Sequence, residues 1–283
     1  MLKSSRTAEV ILSALPYIQK FRDEVFVIKY GGAAQIDEKL KNDFARDIVL
    51  LQIVGIKVVL VHGGGKTINS FLDKLDIKSE FVDGLRVTDA DTMKVVEMAL
   101  SGLVNKEITS MLNKHGARAI GISGKDDNML KAKVMSDGRY GFVGDITSVD
   151  DKLICSLLDD GLIPVIAPIA VGDEYESYNI NADLCASAIA SKLKASKVIF
   201  LSDIRGVLDK DSNLIGKLDK ESINKLKQDG TISGGMIPKV DACLECIQNG
   251  VGAAHIIDGK IPHSLLLEIF TDEGIGSIIK WNF

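Results

Sequence analysis

Two lysines of this sequence stand next to pairs of glycines. Lys29 lies two residues before Gly31, and Lys239 lies four residues after Gly235. Glycines between a strand and a helix let phosphate or carboxylate oxygens approach backbone N–H groups, and the helix dipole adds to the attraction. A lysine ammonium nearby adds a full positive charge. The pattern predicts a site for a phosphorylated or carboxylate ligand.

A further glycine-rich segment, His62–Thr67, looks like two nucleotide-binding motifs without matching either. A P-loop whose glycine, lysine and threonine stood at 65–67 would need glycine at position 60, where the chain has Leu60. A dinucleotide-binding fingerprint that starts at Gly63 would need its third glycine at the position of Ile68. The segment is therefore not a P-loop, and a dehydrogenase is the weaker interpretation.

Polar residues from Asn179 to Asp183 come at the start of a predicted helix. Asn181 or Asp183 can be an ordinary N-cap, which accepts a hydrogen bond from a backbone N–H group. The same side chains can form a polar cradle for a ligand, and one residue can do both. Both interpretations stay open at this point.

Short β-rich runs alternate with longer stretches of helical periodicity along the chain. The predicted strands are Val25–Lys29, Lys57–Val61, Arg118–Ile122, Ile163–Ala167, Val198–Leu201 and Ala254–Ile257. The predicted helices span residues 37–53, 67–75, 89–114, 149–160, 182–194, 236–249 and 263–270. The alternation predicts an α/β fold in which both halves of the chain share one mainly parallel sheet, covered by helices on both faces.

Three segments have their own patterns. Apolar residues between 7 and 21 follow a helical stripe, in which Pro16 is expected to kink or break the helix. Residues 130–146 predict a β-hairpin with an Asp-Gly turn at Asp137. Cys243 and Cys246 form a C-x-x-C pair on a predicted helix, where this spacing is typical of packing rather than of a zinc or redox site.

The composition limits the classes of function. The 283 residues include 34 Lys and Arg against 39 Asp and Glu, which gives a formal net charge of −5. Nucleic acids and anionic membranes bind concentrated positive charge, so neither partner is expected. Hydrophobic residues at 46% and charged residues at 26% exclude disordered and fibrous classes. Only four cysteines, and no apolar run near the roughly 20 residues of a membrane span, predict a cytoplasmic protein.

Six motifs, in this order, resemble those of the amino-acid kinase family: Phe26–Gly32, Val61–Gly65, Phe81–Thr88, Asn179–Asp183, Leu201–Val207 and Gly234–Lys239. The resemblance implies a three-layer αβα sandwich with a mainly parallel central sheet, preceded by a kinked N-terminal helix. It also implies an oligomerisation helix at 1–22, an N-terminal lobe at 23–195 for the acceptor substrate and dimerisation, and a C-terminal lobe at 196–283 for ATP and an arginine site.

Within the family, the match is to enzymes that transfer the γ-phosphoryl group of ATP to the side-chain carboxylate of N-acetyl-L-glutamate. The resemblance implies that Lys29 and Lys239 stabilise this group from opposite sides and that Asp183 holds both ammonium groups. The implied acceptor-binding residues are Gly64, Gly65, Arg86, Asn179 and Asn181. The implied ATP-binding residues are Gly31, Gly32, Ser202, Asp203, Gly206, Thr231, Ser233, Gly235 and Met236. Magnesium is expected to arrive with ATP, held by phosphates and water, with no metal-binding residues of the chain's own.

The N-terminal helix and the stretch 252–276 resemble the arginine-inhibited, hexameric branch of the family. This implies feedback inhibition by arginine and a homo-oligomer, a dimer assembled into a trimer of dimers through the N-terminal helix. The implied arginine-binding residues are Tyr17, Lys197, His255, Glu268 and Gly276. A core histidine, an exposed glutamate and a helix that simply packs are the alternatives for these residues.

Two other functions stay open. Another amino-acid kinase would use glutamate, aspartate or carbamate as its acceptor. A non-catalytic arginine-binding module belongs to a different class, and the intact set of Lys29, Asp183 and Lys239 disfavours it.

Overall fold

The computed structural model of the chain describes residues 3–35, 37–82 and 84–282. Asp83 of the third motif and the first two residues of the expected oligomerisation helix lie outside the described residues. The helices are α1 (Lys3–Phe21), α2 (Glu38–Ile53), α3 (Gly65–Lys74), α4 (Ala90–Glu97), α5 (Asn105–Lys114), α6 (Lys152–Asp159), α7 (Ala182–Leu193), α8 (Lys220–Gln228), α9 (Met236–Gln248) and α10 (Ser264–Ile269). The strands are β1 (Val25–Tyr30), β2 (Lys57–His62), β3 (Glu80–Val82), β4 (Leu85–Val87), β5 (Ala119–Ser123), β6 (Leu130–Val134), β7 (Gly144–Val149), β8 (Ile163–Ala167), β9 (Ile169–Val171), β10 (Ser177–Asn179), β11 (Lys197–Ser202), β12 (Lys217–Leu218), β13 (Ala253–Asp258) and β14 (Ser277–Ile279).

Within the described residues, an eight-stranded sheet has the order β12-β14-β13-β11-β1-β2-β8-β5. Neighbouring strands are parallel, except that β14 runs antiparallel to β13. The predicted mainly parallel sheet is confirmed, and the six strands predicted from the alternation of strands and helices belong to it. Because β1, β2 and β11 are parallel neighbours, the loops at their carboxyl ends meet at one edge, where ligands bind in open α/β sheets.

Alternate residues of the central strands face two separate layers of helices, as the period of two in a strand requires. In β1, Val27 belongs to one apolar core, and Phe26 and Ile28 belong to the other. The first core includes buried residues of α7 and α9, such as Cys185 and Cys243, and the second includes residues of α2, α5 and α10. The predicted three-layer αβα arrangement is confirmed.

The predicted packing role of the C-x-x-C pair is also confirmed. Cys243 and Cys246 are both buried in the first core, with free thiols. Burial raises the pKa of Cys246 to about 11, so its thiol is protonated at neutral pH.

The N-terminal helix α1 runs through Pro16, so the proline does not end the helix. In the described part of the chain, no helix is long and apolar enough to cross a membrane, and this includes α1.

The predicted helix over 89–114 consists of three consecutive segments. α4 passes into a π-helical segment, Met98–Val104, and α5 follows without a gap. The N–H of Asn105 donates to the carbonyl of Leu100, five residues earlier. A regular α-helix bonds to the residue four positions earlier, so the structure places one extra residue in this turn.

The predicted hairpin over 130–146 is correct in its first strand only. β6 pairs antiparallel with β7, but β7 begins at Gly144, whereas the predicted second strand was Arg139–Val143, directly after the turn. The connection contains Ser136, Asp137 and Gly138, which all have positive φ, and it forms a 3-10 turn instead of a two-residue turn. β6 and β7 belong to a second sheet, with β9 and β10.

The main sheet continues across the boundary expected near residue 195, because β11 pairs with β1. The prediction that both halves share one sheet is therefore confirmed. The division into an acceptor lobe and an ATP lobe stays a prediction.

Candidate active site

Asp183 lies between two lysines at the carboxyl edge of the main sheet. Its Oδ1 is 3.0 Å from Lys29 Nζ, and its Oδ2 is 2.6 Å from Lys239 Nζ. The side chains are largely shielded from solvent, with relative exposures of 15% for each lysine and 23% for the aspartate. The structure thus brings together the three residues that the sequence analysis selected for phosphoryl transfer.

Three separate elements carry these charges. Lys29 is on β1, in register with Val61 of β2 and Phe200 of β11. Asp183 lies in the first turn of α7, and Lys239 lies at the start of α9. Since α7 and α9 pack against each other and α7 contacts β1, the three groups meet above the central strand.

The charge balance of this cluster favours an anionic ligand. Burial alone would raise the pKa of Asp183, but the charges of Lys29 and Lys239 outweigh burial and hold that pKa below its usual value. Asp183 is therefore ionised at neutral pH. The two ammonium groups and the one carboxylate give the cluster a net charge of +1.

The glycine loops after β1 and β2 form part of the wall of a cleft of about 780 Å³. A Cβ at Gly31 would lie 3.0 Å from Lys29 Nζ, and a Cβ at Gly32 would lie 2.5 Å from Asp203 Oδ1. Gly32 also has a φ of +67°, which L side chains rarely adopt. At Gly32 the positive φ and the close approach together favour glycine, whereas a side chain at Gly31 would have to displace the end of Lys29. The second loop, Gly63–Gly65, lines the same cleft.

Arg86 of β4 is nearly buried and reaches the start of α3. Its guanidinium donates hydrogen bonds to Asn69, to the hydroxyl of Ser79 and, at 3.3 Å, to the carbonyl of Gly65. It also lies 4.6 Å from the ring centroid of Phe81. These contacts hold Arg86 in one orientation next to the predicted acceptor-binding glycines.

Asn179 and Asn181 have different roles in the structure. Asn179 Nδ2 donates to Thr88 Oγ1 at 3.2 Å, and Thr88 Oγ1 donates to the carbonyl of Arg86 at 2.9 Å. Asn181 Oδ1 accepts from two backbone N–H groups at the start of α7, including that of Asp183 at 2.9 Å. Asn181 is therefore the N-cap, and it fixes the turn that carries Asp183. Asn179 is connected to Arg86 through one hydroxyl.

The residues predicted to bind ATP lie in the loop after β1, at the end of β11 and in the loop that follows it, and from the segment before α9 to its first residue: Gly31, Gly32, Ser202, Asp203, Gly206, Thr231, Ser233, Gly235 and Met236. The carbonyl of Asp203 accepts from Lys260 Nζ at 2.8 Å, and the carbonyl of Ser202 accepts from the N–H of Gly259 at 2.9 Å. These bonds fix the loop after β11 beside Gly32. The role of the loop in ATP binding stays a prediction.

Another buried polar cluster contains four of the five residues predicted to bind arginine. Lys197 Nζ is 2.9 Å from His255 Nε2, and His255 Nδ1 is 2.6 Å from Glu268 Oε1. Glu268 Oε2 accepts from the N–H groups of Ile275 at 2.7 Å and Gly276 at 3.0 Å. The residues form one continuous chain of hydrogen bonds.

Tyr17, the fifth of these residues, is on α1, and its hydroxyl donates to Asp272 in the segment after α10. One helical turn later, the ring centroid of Phe21 lies 5.0 Å from Lys197 Nζ. Helix α1 therefore packs against this cluster, with Tyr17 at its edge.

Burial determines the protonation of this second cluster. It lowers the pKa of His255 to about 4 and that of Lys197 to about 8. A neutral His255 has one ring hydrogen, which Nδ1 donates to Glu268, so Nε2 is free to accept from Lys197. The donors therefore all point in one direction, from Lys197 through His255 to Glu268.

Some residues of the site were outside the sequence predictions. Gln35 Nε2 donates to the carbonyls of Tyr30 at 3.1 Å and Gly63 at 3.4 Å, and so joins the two glycine loops. No spacing pattern indicated this residue. Asn69, which holds Arg86, lies one helical turn after Gly65, and that spacing places both residues on one helix face.

The sequence matches the profile of the Amino acid kinase family over residues 24–258. It is 81% identical over 280 residues to a protein of Campylobacter fetus subsp. fetus that is named acetylglutamate kinase. The match covers 99% of this chain and 100% of that relative.

Two solved structures of N-acetylglutamate synthase from Neisseria gonorrhoeae are also similar. One is complexed with coenzyme A and N-acetyl-glutamate, with a TM-score of 0.86 and 25% identity, and covers 96% of this chain and 63% of the synthase chain. The other is complexed with coenzyme A and L-arginine, with a TM-score of 0.82 and 25% identity, and covers 97% of this chain and 65% of the synthase chain. This chain therefore spans less than two thirds of the synthase length.

Replacement of Asp183 by asparagine is expected to lower the free energy of unfolding by about 3 kcal/mol, because two largely shielded ammonium groups would lose their shared counter-charge. Urea denaturation at pH 7 measures the loss. The double variant Asp183→Asn/Lys239→Met is expected to recover part of it, since one of the unpaired charges is removed. The single variant Lys239→Met completes the comparison. If the losses of the two single variants simply add in the double variant, Asp183 does not stabilise the fold through Lys239.

Proposed function

The chain belongs to the amino acid kinase family, and on that premise we propose that it transfers the γ-phosphoryl group of ATP to the side-chain carboxylate of N-acetyl-L-glutamate. The product would be N-acetyl-L-glutamyl 5-phosphate, in a step of arginine biosynthesis. The observation that carries the proposal is the pair of lysines bridged by Asp183 beside two glycine loops. The full-length, 81% identical relative named acetylglutamate kinase supports the choice of acceptor. Four free cysteines support a reducing, cytoplasmic location.

This reaction needs no general base. A side-chain carboxylate with an ordinary pKa of about 4.3 is already ionised at neutral pH. The barrier is electrostatic, because an anion must approach a polyanion, so catalysis depends on positioning and charge neutralisation. A site made of two lysines and backbone N–H groups is suited to that task.

Lys29 and Lys239 are proposed to neutralise the transferring phosphoryl group from two sides. Each contacts a different oxygen of Asp183, so the two ammonium groups are held apart and in fixed positions. Preorganised donors of this kind act without rearrangement during the reaction. Asp183 is then the residue that sets their geometry.

The acceptor is proposed to lie between the start of α3 and the end of β10. Gly64 and Gly65 precede or open α3, where backbone N–H groups have no partner within the helix. Arg86 carries five N–H donors in a planar fork that suits the α-carboxylate of the acceptor. Asn179 and Asn181 complete this side, and the hydrogen bond through Thr88 connects Asn179 to β4.

Mg²⁺ is proposed to enter with ATP. Across the described ranges, no group of three or more His, Cys, Asp or Glu side chains is arranged to hold a metal ion. Mg²⁺ dehydrates reluctantly and is usually held by substrate phosphates, waters and one or two carboxylates. The ion would offset phosphate charge that the lysines leave uncompensated. The loops after β1 and β11 and the segment before α9 are proposed to bind the nucleotide.

We also propose that arginine inhibits the enzyme by binding at the cluster of Lys197, His255, Glu268 and Gly276, with Tyr17 at its edge. An ionised carboxylate offers about four acceptor positions. In Glu268, three are used by His255, Ile275 and Gly276, so one remains for a guanidinium group. A similar synthase structure that contains L-arginine supports this proposal.

Helix α1 is proposed to join dimers into a trimer of dimers. Its residues Val10, Ile11 and Leu12 have exposures of 62–65%, and Leu15 is also exposed. Such an apolar surface favours burial against another chain. A second copy of α1 carries the same apolar residues, so two copies would bury them against each other.

Lys239→Ala is expected to lower turnover by at least about 100-fold, because it removes one preorganised positive donor from the transferring phosphoryl group. A coupled ADP-release assay with N-acetyl-L-glutamate measures the rate, with glutamate and aspartate as alternative acceptors. Lys225→Ala, which removes an exposed lysine of α8, is the control. Near-normal turnover of Lys239→Ala would remove this lysine from the mechanism.

Arginine is expected to slow the same reaction, and Glu268→Gln is expected to raise the half-inhibiting arginine concentration at least about 10-fold, because a buried charge pair loses one partner. Glu273→Gln, in the exposed stretch after α10, is the matched control. Equal arginine sensitivity in both variants would place the inhibitor elsewhere.

A chain that lacks residues 1–22 is expected to form dimers, because the helix that joins dimers is absent. Multi-angle light scattering measures the mass of the assembly for the full and the shortened chain. A hexamer that persists without these residues would show that other surfaces hold it together.

A further inference from the structure

A fully buried polar cluster lies behind the glycine loop that follows β2. His62, the last residue of β2, and Asn105, the first residue of α5, are both 0% exposed. Neither residue has a part in the mechanism above. Buried polar side chains are normally hydrogen-bonded, so their partners show which part of the molecule they hold.

The hydrogen bonds of His62 define its tautomer. Nδ1 lies 2.9 Å from the carbonyl oxygen of Gly63, which can only accept, so Nδ1 carries the ring hydrogen. Nε2 is then an acceptor, and Asn105 Nδ2 donates to it at 3.2 Å. Burial lowers the pKa of His62 to about 4, which agrees with a neutral ring that has this one hydrogen.

Asn105 is itself fixed by the sheet. Its Nδ2 donates to the carbonyl of Val165 at 2.8 Å and lies 3.2 Å from the carbonyl of Ile122. A Cβ at Gly121 would lie 1.9 Å from Asn105 Oδ1, so β5 needs glycine at this position. Asn105 therefore connects β5 and β8 to the ring of His62.

The π-helical segment supports the same loop. A Cβ at Gly64 would lie 2.5 Å from Leu100 Cδ2 and 3.3 Å from Val104 Cγ2, so residues of this segment form an apolar floor under the loop. Asn105 follows the segment directly and is bonded back to Leu100 by its N–H. One irregular helix turn thus provides both the floor and the polar support. π-helical turns are frequent at functional sites.

The bond from His62 sets the direction of the peptide between Gly63 and Gly64. In a planar trans peptide, the carbonyl oxygen and the following N–H point in opposite directions. The Gly63 carbonyl is held by the buried ring of His62, and Gln35 Nε2 also approaches it, at 3.4 Å. The N–H of Gly64 therefore points away from the ring of His62, and Gly64 itself lines the cleft.

We propose that His62 and Asn105 are positioning residues that aim the N–H of Gly64 at the acceptor of the phosphoryl group. The identity of that acceptor rests on the proposed function. Neither side chain touches a substrate, and both act through the backbone of the glycine loop. A donor aimed in advance stabilises developing negative charge only if its direction is kept.

The first test uses the unmodified protein. Imidazole ¹⁵N NMR distinguishes the two neutral tautomers, and a His62→Asn spectrum identifies the signals of His62 among the four histidines of the chain. We expect the Nδ1–H tautomer at pH 7. The Nε2–H tautomer, or an imidazolium at that pH, would overturn the proposal, because the Gly63 carbonyl would then not be held as described.

The second test compares His62→Leu with His62→Asn, whose amide keeps a hydrogen-bond donor near the position of Nδ1. His62→Leu is expected to lower kcat/KM for N-acetyl-L-glutamate roughly 10- to 100-fold per folded molecule, as small misplacements in a site do. The KM for ATP is expected to stay within about twofold, since the nucleotide loops are unchanged. His62→Asn is expected to recover most of the loss. His115→Asn, at a half-buried position bonded to Asn42, is the control.

A merely structural role gives a different pattern. Both variants would then lower the melting temperature alike and leave kcat/KM per folded molecule unchanged, and this result would overturn the proposal. If His62→Leu does not fold, the tautomer and the kinetics of His62→Asn decide. If the unmodified protein does not phosphorylate N-acetyl-L-glutamate, the proposed function fails, and the tautomer alone decides the role of His62.

Discussion

The arrangement of the site depends on one carboxylate that balances two ammonium groups. A charge taken out of water is costly unless a partner lies within hydrogen-bond distance, so Asp183 must meet both Lys29 and Lys239. These residues come from a central strand and from two helices of the same layer. Their meeting therefore depends on the packing of the whole sandwich, so the net positive charge of this cluster forms only in the folded chain.

Buried polar groups elsewhere in the chain follow the same rule in an uncharged form. His62 and His255 are both buried and neutral. In each ring, Nε2 accepts a hydrogen bond from a donor on one side, and Nδ1 donates one to an acceptor on the other side. In one case the acceptor is a backbone carbonyl of a glycine loop, and in the other it is Glu268. These histidines thus fix the direction of the hydrogen bonds in the two sites, and the positive charge comes from lysine and arginine. The net charge of −5 gave no sign of this local concentration.

The main sheet and the long helices could be predicted because each has a clear period and a burial requirement. The short strands β3, β12 and β14 have two or three residues, too few for a period. The prediction of the hairpin was wrong at its second strand, because Ser136 and Asp137 have positive φ values and the connection is longer than a two-residue turn. Lys29, Lys239 and Asp183 could be predicted from glycine spacing and family motifs. The partners of Arg86 were not predicted, because Ser79 and Phe81 meet it through the pairing of the short strands β3 and β4, which have too few residues for a period.

The π-helical segment makes the geometry of the cleft depend on the number of residues in a helix. One residue more or less in a regular helix rotates every later side chain by about 100°. Between Met98 and Val104, the additional residue of the wide turn is what brings Asn105 inward to His62, while α4 keeps its own apolar side on the core. Insertions and deletions are tolerated in most surface segments, but here the chain length itself is a determinant of the site.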